Sequence, residues 1–186
     1  MLHGQTIILR ELRRADLEVL HKAFDSDPAV HALVSPTPWV PVPVERRQAL
    51  FDERLTKDKD GDHAVFAVQR RDDPQDRCLG TATLWGMDAH NRSAHVGVML
   101  VAAARGHGVG REAVSLICEY AFAHRDLHRV QLDTLGANEP MQAVAKACGF
   151  TLEGRRREAA FVVGERDDEV VFGLLARQWW AARGRP

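Results

Sequence analysis

A run of glycines alternating with other residues stands between two arginines near the middle of the chain. Apolar residues follow at helical spacing, at Ala113, Leu116, Ile117 and Tyr120, so the glycines lie at the entrance of an amphipathic helix. The first turn of a helix has N–H groups without partners and a partial positive charge, and glycines let an anion approach closely. Because flanking arginines can neutralise phosphate charge, a pyrophosphate-binding loop is favoured over a plain glycine-rich turn. The loop comprises Arg105, Gly106, His107, Gly108, Val109, Gly110 and Arg111.

Two common phosphate-binding motifs fit this stretch poorly. A Walker loop ends in Gly-Lys-Ser/Thr, whereas Gly110 is followed by Arg111 and Glu112. A dinucleotide fingerprint reads G-x-G-x-x-G after the first strand of a βαβ unit, whereas this one reads G-x-G-x-G and follows several strands. The ligand is therefore expected to be a different pyrophosphate.

Composition restricts the class of protein. The chain has 186 residues, 45% of them hydrophobic and 27% charged, which suits one soluble globular domain spanning residues 1–186. The formal net charge of -1 gives no general attraction to nucleic acid or to an anionic membrane. No signal-peptide apolar region appears at the N-terminus, and the longest apolar run, Val96 to Ala104, is too short to span a bilayer.

The spacing of the cysteines and histidines predicts neither disulfide bonds nor a metal site. The chain has 3 cysteines without CxxC spacing, which predicts reduced core thiols in the cytoplasm. His124 and His128 are four residues apart, but they lack the glutamate of HExxH and the helix is expected to end between them. No metal site is predicted.

The order of patterns predicts a mixed α/β sheet in one domain. Asp16 is expected to cap a first helix, and the proline-rich segment from Ser26 to Glu45 is expected to be an irregular, stiff loop. Gly164 to Glu169 is interpreted as a hairpin turn. The predicted strands are Thr6–Leu12, Asp62–Arg70, Arg77–Met87, Asn91–Val101, Arg129–Leu135, one from Phe150 and Asp167–Arg177. The later helices are Val44–Leu55, Val109–His124, Glu139–Ala147 and a C-terminal one packed by Trp179 and Trp180.

Arg105, Gly108 and Gly110 match R-x-x-G-x-G, the acetyl-CoA signature of the GNAT N-acetyltransferases. Further segments resemble one branch of that superfamily, the ribosomal-protein N-terminal acetyltransferase-like (RimJ/RimL-like) group. They are Ile8–Leu20, Asn91–Leu100, Leu127–Leu132, Asn138–Gly154 and Gly164–Leu175. The resemblance runs in the right order over nearly the whole chain.

The resemblance implies a central, mostly antiparallel sheet, splayed open in its middle and flanked by helices. The strand from Val96 to Val101 would pair with the pantetheine arm of acetyl-CoA, and the glycine loop would hold the pyrophosphate. Asn138 would reach the cofactor from beyond the gap. The residues expected to contact acetyl-CoA are thus Val98, Met99, Leu100, Val101, the loop Arg105–Arg111 and Asn138. Trp39 and Trp85 would border the acceptor pocket, although aromatic residues there often serve packing alone.

Acetyl transfer to an amine requires a base, because an ammonium is not a nucleophile. Many relatives carry a glutamate in the strand before the loop, and the alignment puts His95 at that position. Imidazole ordinarily changes charge near neutral pH, so His95 is the candidate base, directly or through water; a purely structural histidine is the alternative. Met141 and Ala145 stand where relatives have a serine and a tyrosine, and Tyr120 is interpreted as core. No general acid is therefore predicted.

The leading hypothesis is an acetyl-CoA-dependent acyltransferase that acts on a primary amine. The acceptor would be a protein N-terminus or a small amine such as an aminosugar antibiotic. The acidic side chains within Gly164–Glu169 could attract a cationic acceptor. The alternative is a non-catalytic acyl-CoA-binding sensor, which the replaced glutamate and Met141 favour slightly. Another acyl donor, such as succinyl-CoA, is the third hypothesis, and relatives are often homodimers.

Overall fold

Eight strands form one mixed sheet in the computed structural model, which describes residues 1–35, 37–56 and 63–184. Their bounds are β1 (Leu2–His3), β2 (Ile7–Glu11), β3 (His63–Arg70), β4 (Cys78–Asp88), β5 (Ser93–Leu100), β6 (Arg129–Leu135), β7 (Thr151–Val162) and β8 (Glu165–Leu175). The order across the sheet is β1-β2-β3-β4-β5-β6-β8-β7. In the described residues, neighbouring strands are antiparallel except β5 and β6, which run parallel. The predicted mixed, mostly antiparallel sheet is confirmed.

Helices cover both faces of this sheet. They are α1 (Asp16–Phe24), α2 (Pro28–Val34), α3 (Val44–Thr56), α4 (Val109–Glu119), α5 (Glu139–Ala147) and α6 (Ala176–Ala181). A short 3₁₀ turn, Ala102–Ala104, precedes the glycine loop. The large core joins α4 and α5 to the sheet, and a smaller cluster joins Leu17, Leu20 and Phe24 of α1 to the opposite face. Each of these three α1 side chains is buried, which stabilises the fold by about 1.5–3 kcal/mol per side chain.

The sheet opens between β5 and β6. Their parallel register covers only Ser93, Ala94 and His95 on β5, and it ends where His95 lies opposite Gln131. On its other edge β5 stays paired with β4 as far as Leu100. The strands therefore separate just after His95, and the splayed sheet that the resemblance implies is confirmed.

The proline-rich segment contains a helix that the sequence analysis missed. Residues Pro28–Val34 form α2, so the prediction of an irregular loop is wrong for this part. Asp27 caps the helix, because its side chain accepts a hydrogen bond of 2.8 Å from the Ala29 N–H. Pro28 occupies the first turn, where a missing N–H costs little. Pro36, also in that segment, lies outside the described residues.

Asp16 does not cap α1. The helix begins at Asp16 itself, after Ala15. The Asp16 carboxylate instead accepts the Arg13 N–H at 2.8 Å and two hydrogen bonds from the Arg10 guanidinium at 2.7 and 2.8 Å. Arg10 is 1% exposed, so the Asp16 carboxylate neutralises a buried charge and does not cap the start of α1.

Two further predictions differ from the structure, and one predicted boundary lies outside the described residues. The α-helix after the glycine loop ends at Glu119 and continues as a π-helical turn, Tyr120–His124. The hairpin turn is shorter than predicted, because β7 and β8 leave only Val163 and Gly164 between them, both at positive φ. Asp62, the first residue of one predicted strand, lies outside the described residues.

Candidate functional site

The glycine loop has a backbone that only glycine adopts readily. Gly106 and Gly108 have φ values of +79° and +78°, in the left-handed region. A Cβ built at either residue would meet no atom of the described protein within 4 Å. The two glycines thus turn the chain while leaving their open side free for a ligand.

Helix α4 begins at Val109, within this loop, so the last three loop residues form its first turn. Gly108 is its N-cap and supplies no side chain to satisfy the first N–H groups. The Arg105 Nε–H donates 2.9 Å to the carbonyl of Leu100, which holds the guanidinium beside the end of β5. Arg111 and His107 are exposed next to the same N–H groups, whereas Val109 is buried and fixes the helix to the core. The arrangement suits a pyrophosphate, because N–H donors and cations converge on open space.

Glu112 anchors the start of α4 to the N-terminal strands. Its carboxylate accepts the Thr6 N–H at 2.9 Å and the Thr6 hydroxyl at 2.5 Å. Partial burial raises the pKa of Glu112, but hydrogen bonds from Thr6 and the neighbouring Ile7 and Gln5 N–H groups outweigh burial and lower the pKa below its ordinary value. A charged Glu112 therefore ties the loop helix to the sheet at neutral pH.

The open stretch of β5 is joined to the glycine loop by the short 3₁₀ turn Ala102–Ala104. Val98 and Leu100 pack against the core on the α4 side, while Met99 and Val101 pack against the α1 cluster. All four are half-buried. Their side chains are therefore fixed on both faces, and the strand edge that faces the gap is left for another extended group to pair with.

His95 lies at the point where the strands separate. Its Nδ1 is 2.9 Å from Oδ2 of Asp133, and the His95 side chain remains 37% exposed. Gln131 donates its side-chain N–H to both carboxylate oxygens of Asp133, at 3.0 and 3.2 Å. The sequence analysis did not single out Asp133. The two-residue alternation along β6 could have placed it on one face with Gln131, but not beside His95, because the register between strands is not visible in the sequence.

Trp85 stacks on His95. The two residues are opposite each other on β4 and β5, and their ring centroids are 5.6 Å apart with planes inclined by 24°. Trp85 is 39% exposed, so its outer face is available for contact. Trp85 and the candidate base are therefore neighbours in the structure, and the expected role of Trp85 at the acceptor pocket stays a prediction.

Trp39 lies elsewhere on the same side of the sheet. Its indole N–H donates 2.7 Å to the carbonyl of Asp25, just after α1. The Asp25 carboxylate is bound by Arg47 of α3 and lies 3.5 Å from His21 Nδ1 and 3.9 Å from His31 Nδ1. Among the described residues, Trp39 makes no ring contact with Trp85 or His95. Trp39 is thus fixed by the helices that cover the α1 face.

Asn138 has a local structural role across the gap. Its Oδ1 accepts the Met141 N–H at 3.2 Å, which caps α5, and its Nδ2 donates 3.0 Å to the hydroxyl of Thr134. The preceding Ala137 N–H is held at 3.0 Å by Asp167 of β8. The expected contact with a cofactor stays a prediction for this side chain.

Comparison with known proteins agrees with this geometry. The profile described as "Acetyltransferase (GNAT) domain" matches residues 6–151. The chain belongs to the GNAT acetyltransferase family. This membership makes it an acyltransferase.

Among curated GNAT relatives, the Bacillus subtilis protein named "Putative ribosomal N-acetyltransferase YdaF" is 33% identical over 100 residues, 54% of this chain and 55% of that protein. The B. subtilis "Probable N-acetyltransferase YjcK" is 28% identical over 94% of this chain and 97% of its own. These matches agree with the ribosomal-protein acetyltransferase-like branch that the motifs indicated. Spermidine N-acetyltransferase from Vibrio cholerae, solved with CoA and spermine, superposes with a TM-score of 0.82 at 22% identity, covering 95% of this chain and 99% of that one, and shares the fold.

Neither Met141 nor Ala145 carries a side chain that can donate a proton. Met141 is half-buried against the core and Ala145 is fully buried. Tyr120 is half-buried on the α4 side, with its ring 5.0 Å from Phe66, so it packs against the face opposite His95. Its interpretation as a packing residue agrees with these contacts.

The described cysteines are not paired, and one of them borders the glycine loop, because Cys148 Sγ donates 3.5 Å to the carbonyl of Arg111. Cys78, Cys118 and Cys148 are free thiols, and burial raises the pKa of Cys148 to about 11. Within residues 1–35, 37–56 and 63–184, no cluster of three or more His, Cys, Asp or Glu side chains has metal-binding geometry. Among the helices of those residues, none combines the length and hydropathy that crossing a bilayer requires.

Proposed function

We propose that this GNAT enzyme, acting as a single domain over residues 1–186, transfers the acetyl group of acetyl-CoA to a primary amine by direct attack in a ternary complex. One observation carries the proposal: β5 leaves β6 at His95 and is joined to the glycine loop by only the short 3₁₀ turn Ala102–Ala104. A candidate base, an unpaired strand edge and an anion-binding loop therefore follow one another along the chain.

The residues present fit acetyl-CoA. The loop from Arg105 to Arg111 offers open N–H groups and cations to the pyrophosphate. The free edge of Val98 to Val101 offers backbone groups to the amides of the pantetheine arm, as a neighbouring strand would. Asn138, which caps the N-terminus of α5, is assigned to the cofactor from the far side of the gap. The acyl end is then expected beside Met99 and close to His95.

His95 accepts the proton that the acceptor ammonium must lose. Its Nε2 has no hydrogen-bond partner among the described residues, so that nitrogen is available to the acceptor. The freed nitrogen lone pair forms the new C–N bond at the thioester carbonyl, and the C–S bond breaks with its electron pair going to sulfur. The second proton on nitrogen passes to the thiolate, directly or through water, because Met141 and Ala145 cannot donate one.

The acceptor site is assigned to the α1 face, between Trp85 on the sheet and Trp39 on the covering segment. The named activities of the relatives span both acceptor classes, because one V. cholerae relative is a spermidine N(1)-acetyltransferase and YdaF is named for ribosomal substrates. We therefore propose a protein N-terminus or a small amine. The acceptor amine is primary in both cases.

The experiment that tests this proposal is a thiol-release assay with purified protein. Acetyl-CoA and succinyl-CoA are each offered with N-terminal peptides, polyamines, aminoglycosides and amino acids. CoA release with one donor and one acceptor class would support the enzyme and name its substrates. Tight acetyl-CoA binding without release across the panel would overturn the catalytic proposal and support the sensor. Arg125→Ala, directly after the π-helical turn and in contact with Tyr120, provides a control for non-specific loss.

A further inference from the structure

We propose that Asp133 is a positioning residue that fixes His95 with Nε2 as its proton-accepting atom; this inference rests on the proposed function. A carboxylate can only accept hydrogen bonds, so the nitrogen that faces Asp133 must carry the hydrogen. That nitrogen is Nδ1, at 2.9 Å from Oδ2. The lone pair of neutral His95 is therefore on Nε2, the nitrogen without a described partner.

Asp133 is itself held in place by the side chain before it on the same face of β6. Gln131 donates one N–H toward both carboxylate oxygens, at 3.0 and 3.2 Å. The Gln131 carbonyl faces Arg129 Nη2 at 3.5 Å, and Arg129 is paired with Glu153. Because Arg129 can only donate, it sets which end of the Gln131 amide faces Asp133. The side chains along β6 thus support the carboxylate in one orientation.

The hydrogen-bonded pair of His95 and Asp133 lies where β5 and β6 separate. Gln131 belongs to the last parallel pair between β5 and β6, and Asp133 is two residues further along, past the point of separation. The hydrogen bond from His95 to Asp133 therefore spans the start of the gap. It fixes the ring at the mouth of the opening, beside the last backbone pair between β5 and β6.

Asp133 is only 17% exposed, and it holds the His95 ring through one hydrogen bond of 2.9 Å. A carboxylate that fixes the orientation and tautomer of an imidazole is the arrangement that lets histidine act as an effective base.

Kinetics on the full chain test the role. Asp133→Asn keeps the shape and removes the charge, and Gln131→Ala leaves the carboxylate without its support. We expect kcat to fall about 10- to 100-fold for Asp133→Asn and less for Gln131→Ala, with the KM for acetyl-CoA unchanged. The control is Asp126→Asn, which removes a carboxylate paired with Arg92 at 2.6 Å just before the same two strands and should leave kcat unchanged. Unchanged kcat in Asp133→Asn, together with loss of activity in His95→Ala, would overturn the inference.

Nitrogen-15 NMR of the imidazole tests the geometry without any turnover. His95→Ala assigns the resonance. Wild-type protein near pH 8 should show the Nδ1–H tautomer of His95, and Asp133→Ala should give a mixture of tautomers. An Nε2–H tautomer in the wild type, or the same tautomer in Asp133→Ala, would overturn the positioning role. A correct tautomer with no CoA release against any acceptor would instead count against the proposed function alone, so the two failures are distinguishable.

Discussion

Gly97 lies directly beneath the indole ring of Trp85. A Cβ built on Gly97 would be 3.0 Å from both Cη2 and Cζ3 of that ring, closer than side chains normally approach. The absence of a side chain therefore lets Trp85 lie across β5 and stack on His95. Gly97 on β5 thus sets the position of the Trp85 ring beside the candidate base, His95.

Gly97→Ala should therefore disturb the acceptor side more than the cofactor side. The added methyl group displaces the Trp85 ring, and we expect kcat/KM for the acceptor to fall by about tenfold, the equivalent of roughly 1.4 kcal/mol, while the Kd for acetyl-CoA changes little. Steady-state kinetics and calorimetric titration measure the two quantities. Gly154→Ala on β7 is the matched control, because a Cβ there meets nothing within 4 Å. Equal losses in the two variants would show that Trp85 has no special role.

Gly108→Asp should weaken acetyl-CoA binding. The carboxylate adds bulk and negative charge where a pyrophosphate is expected, so we expect the Kd to rise by at least about tenfold, or roughly 1.4 kcal/mol. Gly164→Asp is a matched control, since Gly164 also has positive φ, +89°, and open space around its Cβ position. Both substitutions place a side chain on a backbone with positive φ, so the backbone strain is similar in the two variants. Only Gly108 belongs to the glycine loop. Unchanged affinity for Gly108→Asp in a calorimetric titration would remove the loop from the cofactor site.

Local patterns revealed more of the fold than of the site. Alternating apolar residues located the strands, and the glycines located the loop, because both signals lie within a few neighbouring residues. Helix α2 was missed because prolines were taken to break structure throughout the segment, although Pro28 stands in the first turn, where proline is tolerated. Asp133 was missed for a different reason. Its distance to His95 depends on a parallel register between strands separated by a helix, and no local pattern encodes that register.

Asp16→Ala should destabilise the fold strongly. It leaves the Arg10 guanidinium, 1% exposed, without its carboxylate, and breaking a buried pair in this way costs about 3–5 kcal/mol. Urea denaturation measures the change in the free energy of unfolding. Glu11→Gln is the control, because it removes a carboxylate from the exposed pair with Arg13, where solvent screens the charges and little stability is lost. Comparable losses in the two variants would mean that Arg10 finds water or another partner when Asp16 is removed.

Glu112 should make the stability of the protein depend on pH in the acidic range. Its pKa is lowered in the folded state by hydrogen bonds from Thr6 and neighbouring N–H groups, against the opposing effect of burial. A depressed pKa contributes stability that is fully present above the unfolded-state pKa of a glutamate, about 4.3, and is lost as the pH falls through the folded-state value.

Glu112→Gln should therefore unfold at lower urea concentration than the wild type at pH 7. The two midpoints should converge as the pH falls below about 4, because the wild-type carboxylate then takes up a proton and loses its ionic hydrogen bonds to Thr6. Urea titrations at pH 7, 5, 4 and 3 measure this convergence, with Glu119→Gln, an exposed carboxylate on the same helix, as the control. A constant difference between Glu112→Gln and wild type across that range would mean that the shape of the side chain, and not its charge, holds α4 to β2.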